Sequence, residues 1–136
     1  MISEAALRAG NVALNARCAA NPREAANFAA LLRRTPRAVK EDLLFNSAMD
    51  NLSTLVRILL ADGLSANTVY PDRGDATLLH AASKYGSLDV LRLLLEAGAD
   101  SIICDWVGNT PLVEAILHGQ LACARELIPH TNLRIF

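Results

Sequence analysis

At 136 residues the chain has the size of one domain, long enough to bury a continuous core if its elements stack. Hydrophobic residues make up 52% of it, which excludes wholesale disorder, while aromatics at 4% favour thin, closely packed helices over a thick sheet sandwich. A formal net charge of −1 supplies no field that would draw the chain onto nucleic acid or an anionic membrane.

Cys18, Cys104 and Cys123 are odd in number, far apart and without a CxxC pair, the pattern of reduced thiols rather than of a disulfide framework. Met1-Ile2-Ser3-Glu4 is not a basic region followed by an apolar run, so no signal peptide is read there. No window of about 18 uninterrupted apolar residues exists to span a bilayer. The expectation is a soluble cytoplasmic chain, with the nucleus as the other compartment consistent with it.

In chain order, residues 3–20 are Ala-rich and helical in period, interrupted by Gly10-Asn11. Asn21-Pro22-Arg23-Glu24 then reads as N-cap, first-turn proline and capping glutamate of a helix ending near Arg34. The basic run from Arg33 to Lys40 reads as a solvated loop, with Arg33 and Arg34 at a helix C-terminus where cations are favoured. A short helix is expected from Asp42 to near Asn51, and a more apolar one over residues 53–61, closed by Gly63. After a loop, helices follow over residues 77–86 and 88–96, closed by Gly98. The last pair covers residues 110–119 and 121–128, with Pro111 at the first helical position. None of these helices is long enough to stand alone, so stacking must supply the burial.

The pairs repeat. Thr77 and Thr110, like Gly86 and Gly119, lie 33 positions apart. Leu55-Val56-Arg57-Ile58-Leu59-Leu60 matches Val90-Leu91-Arg92-Leu93-Leu94-Leu95 at an offset of 35, which places two extra residues in the loop around Tyr70-Pro71-Asp72-Arg73-Gly74-Asp75.

Thr77-Leu78-Leu79-His80-Ala81-Ala82-Ser83-Lys84-Tyr85-Gly86, continued by residues 88–100 and by Asp105, Gly108 and Thr110-Pro111-Leu112, closely resembles the ankyrin repeat. The flanking units depart from the pattern: Asp42-Leu43-Leu44-Phe45 and Asn51 stand in the first, and Val113 replaces the histidine in the last. The resemblance implies an all-α ankyrin-repeat solenoid of about three recognisable repeats (42–76, 77–109 and 110–136) behind an N-terminal helical cap or degenerate repeat (1–41). It also implies that His80 is buried, its ring bonded to the loop backbone of the neighbouring repeat.

Candidate chemistry is sparse. His80, Cys104, His118 and Cys123 lack the close-paired spacing of a zinc site. No GxSxG, P-loop or dinucleotide loop occurs, so neither enzyme nor cofactor nor small-molecule substrate is expected. Four cations in the run 33–40, followed at once by Glu41 and Asp42 and without interleaved aromatics, argue weakly for nucleic acid.

What remains is recognition of another protein through the concave surface that the resemblance implies. It maps loop tips onto Tyr70, Asp72, Arg73, Asp75, Trp106, Val107 and Asn109, and first-helix variable pairs onto Met49 and Asp50, Lys84 and Tyr85, and Leu117 and His118. Trp106 is the single tryptophan, and loop aromatics are the residues that dominate interfaces. The alternative role is a regulatory or targeting domain of a larger enzyme, channel or effector. The tail from His130 to Phe136 ends on two apolar residues and is expected to cover the last repeat or to mark a boundary with further chain.

Overall fold

The structure, a computed structural model, describes residues 12–130. The part of the N-terminal segment holding Gly10-Asn11, and the tail after His130, lie outside the described residues. The chain divides into two compact units, Met1–Ser65 and Ala66–Phe136.

In the first unit, α1 (Val12–Ala20), α2 (Pro22–Arg33), α3 (Arg37–Met49) and α4 (Ser53–Ala61) form two helix pairs, with α1 and α2 also packed on α4. Helix α2 begins as expected: Pro22 has no donor to lose at the first position, and Asn21 Oδ1 accepts from Arg23 N at 2.9 Å. Helix α4 has no cap of its own side chains. Instead Asn15 Oδ1, reaching across from α1, accepts from Leu55 N at 3.1 Å. The pair is therefore held by a tertiary hydrogen bond as well as by its buried stripe Leu55, Val56 and Leu59.

Helix α3 corrects an expectation. It opens at Arg37 with Pro36 as N-cap, not at Asp42, so Arg37 to Lys40 are its first turn and not loop. The reason is burial: Val39 is 1% exposed and shares an i, i+4 stripe with Leu43 at 0%, so the apolar face extends a turn beyond the repeat pattern. Lys40 Nζ then lies 2.7 Å from Asp62 Oδ2, both side chains largely buried. Asp62 is the C-cap of α4, where the helix dipole disfavours an anion, and Lys40 offsets that charge. Asn51 ends the α3 turn at φ 57°, the left-handed region that asparagine tolerates.

The second unit repeats the layout with α5 (Leu78–Tyr85), α6 (Leu88–Glu96), α7 (Pro111–Leu117) and α8 (Leu121–Leu127). Helices α5 and α7 pack on each other, α6 packs on α8, and each pair packs internally. Thr77 and Thr110 cap α5 and α7 through their hydroxyls. The stripe Val90, Leu91 and Leu94 recurs 33 residues on as Cys123, Ala124 and Leu127, all buried. No strand occurs among the described residues, where an isolated antiparallel bridge pairs Tyr70 with Ala76. The fold is all-α, as the repeat pattern implies.

Candidate recognition surface

Geometry in the second unit starts from His80, which is buried. Thr77 N donates to His80 Nδ1 at 3.1 Å, which makes Nδ1 the acceptor and leaves the proton on Nε2. Nε2 therefore donates to Asn109 O at 2.8 Å, tying the start of α5 to the loop before α7. The ring is a strut with both nitrogens occupied, as the resemblance implies.

That loop is stiffened from within. Asp105 Oδ1 accepts from Val107 N at 3.1 Å and from Asn109 N at 2.9 Å. Trp106 N donates to Gly74 O at 3.0 Å, linking this loop to residues 70–76. Gly74 sits at φ +68°, and a Cβ built there would lie 2.9 Å from both Trp106 Cδ1 and Nε1. The indole edge thus rests on a glycine that no L-residue could replace without displacing it. Trp106 nevertheless remains 75% exposed.

Around it, Asp72 and Val107 are exposed, and Arg73, Asp75 and Asn109 are half-buried. Tyr70 does not join them: it is 6% exposed, a correction to its expected place at a loop tip. Its backbone closes the inserted loop, donating to Ala76 O and accepting from Arg73 N and Asp75 N, and closure turns the ring inward. A loop insertion has no repeat register, so sequence spacing could not show which way Tyr70 points.

The helix ends supply the rest. Tyr85 is 50% exposed at the end of α5, with Lys84 Nζ 5.5 Å from its ring centroid. Leu117 is 65% exposed at the end of α7. His118 follows, its Nδ1 3.0 Å from Glu114 O and 3.5 Å from Glu114 Oε2. Asn109 Nδ2 donates to Glu114 Oε1 at 3.2 Å, and Gln120 Nε2 donates to Lys84 O at 3.3 Å. Met49, half-buried, and Asp50, exposed, end α3 in the first unit.

Sequence reasoning missed the open side of α7. Ile116 is 59% exposed, yet Ser83 and Ala48, its counterparts in the preceding repeats, are at 0%. Val113 is 37% exposed where His80 and Phe45 are buried. An apolar residue at a position that a following repeat covers was the available signal.

In the basic run, Arg37 pairs with Glu41 and Lys40 with Asp62, so half of its cations are engaged within the chain. No group of three or more His, Cys, Asp or Glu suited to a metal occurs among the described residues. A shallow cleft of ≈ 260 Å³ between α6 and α8 is lined by Arg92, Leu95, Glu96, Glu126 and His130. It lies below the roughly 300–1,000 Å³ of small-molecule sites. Burial raises the thiol pKa of Cys18 and Cys123, with Glu24 and Glu126 adding to it, which suits packing rather than nucleophilic chemistry. No helix among the described residues is long and apolar enough to cross a membrane.

Comparison with known proteins agrees with the repeat geometry. The family model for ankyrin repeats (3 copies) matches residues 16–105 and 44–135. An ankyrin repeat-containing protein of Schizosaccharomyces pombe is 36% identical over 86 residues, covering 63% of this chain and 39% of that protein. The Neurogenic locus Notch protein of Drosophila melanogaster is 36% identical over 86 residues, 62% of this chain and 3% of its own. The ARF GTPase-activating protein GIT2 of Mus musculus is 41% identical over 78 residues, 57% of this chain and 11% of its own. The chain thus spans under half the length of these relatives. With helix pairs recurring in register, caps at Thr77 and Thr110, and the His80 strut, the chain belongs to the ankyrin-repeat family.

Proposed function

We propose that this chain is a protein-recognition module whose contact surface is formed by residues 72–75 and 106–109 and by the ends of α5 and α7. Ankyrin repeats are in general protein–protein interaction modules, and the family match supports that class. The observation that carries the surface is Trp106, locked by its backbone to Gly74 O yet 75% exposed. A large aromatic whose backbone is already fixed in the unbound state loses less entropy on contact, a property of interface anchors. Tyr85, Val107 and Leu117 add exposed apolar area, and Asp72, Arg73, Asp75, Lys84, Asn109 and His118 add a polar surround. Met49 and Asp50, in the first unit, hold the matching position at the end of α3.

A second reading keeps the surface and makes it the targeting or regulatory part of a larger protein. The likeness to a GTPase-activating protein of which the chain spans only 11% favours it.

The test uses peptides selected from a random library for binding to the protein. The Trp106→Ala, Tyr85→Ala double variant is expected to weaken them by about tenfold or more, with a nearly unchanged Tm. Unchanged affinity contradicts the surface. A double variant that unfolds makes the two rings structural and contradicts it equally.

A further inference from the structure

We infer that the partner of this surface is an extended peptide segment that donates a main-chain N–H to Val107 O, adding one rung to the stack of loops. This rests on the recognition surface proposed above and names the kind of segment that fits it. The two loops of the second unit are closed alike. Tyr70 N donates to Ala76 O at 2.9 Å, and Asp105 N donates to Asn109 O at 2.9 Å. Asp75 N returns to Tyr70 O at 3.1 Å, and Gly108 N returns to Asp105 O at 2.9 Å. Asp75 at φ 59° and Gly108 at φ 97° both have a positive φ. Tyr70 therefore corresponds to Asp105, Asp75 to Gly108 and Ala76 to Asn109. Gly74 is left as the counterpart of Val107, with the two inserted residues falling within residues 71–73.

From loop to loop the backbone makes a rung: Trp106 N donates to Gly74 O at 3.0 Å. Val107 O is the matching acceptor one repeat further along. It accepts no hydrogen bond from any described residue, and Val107 is 66% exposed. Its place is set from within the loop, because Asp105 Oδ1 takes the N–H groups of Val107 and Asn109 at 3.1 and 2.9 Å. A carbonyl already fixed in the unbound chain loses little freedom when a donor reaches it. The occupant follows from the rung already present. What fills the equivalent place on Gly74 is a backbone N–H, so the contact at Val107 continues an interface that the chain itself forms. An extended segment turns its N–H groups outward, whereas a helix spends all but about the first four on its own carbonyls. Main-chain pairing then holds the segment in place, and the exposed side chains of Trp106 and Val107 select among the side chains it carries.

The probe is the tightest peptide selected from a random library for binding to the full chain. Each of its peptide bonds in turn is replaced by an ester, which removes an N–H donor without adding bulk. One position is expected to lose about tenfold in affinity, the size of a hydrogen bond left unmade at a contact. In the complex of isotope-labelled peptide and protein, the amide at that position is expected to show a scalar coupling, through the hydrogen bond, to the Val107 carbonyl carbon. A peptide bound as a helix, or a coupling to some other carbonyl, overturns the inference. Ester replacements that all bind within about twofold of the parent peptide overturn it equally. If such peptides still lose affinity for the Trp106→Ala, Tyr85→Ala variant, the recognition surface stands without the rung. Conversely, if the coupling to Val107 is seen while both rings can be removed without effect, the rung stands and the wider surface falls.

Discussion

His80 shows how one side chain in this fold replaces several weaker devices. Its two nitrogens cap α5 through Thr77 and hold the Asn109 carbonyl 29 residues away. Truncation leaves the buried Thr77 N and the half-buried Asn109 O without that bond, so His80→Ala is expected to cost about 2–4 kcal/mol, read by urea unfolding. Gly74→Ala tests a different kind of fit. The added methyl would press on Trp106 at 2.9 Å in a left-handed backbone, so a loss of about 1–2 kcal/mol and a shift in Trp106 emission are expected. An unchanged spectrum would show that the ring does not rest on that glycine. The role of His80 was legible through the family resemblance, and the exposure of Trp106 through its place in a loop. The burial of Tyr70 was not, since the two-residue insertion that holds it follows no periodicity.

At the scale of elements, the repeat register locates the helix ends of the three repeats to within about two residues and misplaces one, the start of α3. Thr77, Thr110, Gly86 and Asn51 mark ends by local backbone chemistry, which spacing reveals. The start of α3 is set by tertiary burial of Val39 beneath a turn rich in charge, and a charged turn reads as loop. The Lys40–Asp62 pair comes from that extra turn, 22 residues apart in sequence and 2.7 Å apart in space. Lys40→Ala leaves Asp62 largely buried at a helix C-terminus, and is expected to cost about 1–3 kcal/mol in urea unfolding. Helix α7 gives the opposite case. Ile116→Ser should change stability by less than about 0.5 kcal/mol, because the side chain is 59% exposed, while Leu91→Ala, at 0% exposure, should cost about 2–5 kcal/mol. A large loss at Ile116 would mean that this face is covered in solution.

For the whole molecule, the three thiols report on folding. Cys104 is exposed, whereas Cys18 and Cys123 are buried. Alkylation of the native chain is therefore expected to modify Cys104 rapidly and the other two only on unfolding. Because burial raises the pKa of Cys18 and Cys123 above the ordinary 9.0, the folded state holds those protons more tightly than the unfolded one. The stability this represents is fully present below pH 9.0 and is lost as pH rises through the raised folded values, so unfolding should ease in alkali. Membership of the ankyrin family was legible from the resemblance of residues 77–112 to the repeat, because each repeat restates the same caps and stripes. The proposed contact surface was legible only as a set of variable positions; which of them are exposed depends on loop closure and on what covers the last repeat, neither of which is periodic.

We propose that a partner sits on the loops and first-helix ends of the second unit, and amide hydrogen exchange of the chain with and without a tightly bound selected peptide reads this out. Added protection is expected at residues 72–75, 84–85, 106–109 and 117–118. Protection confined to α6 and α8, or to the first unit, would contradict it.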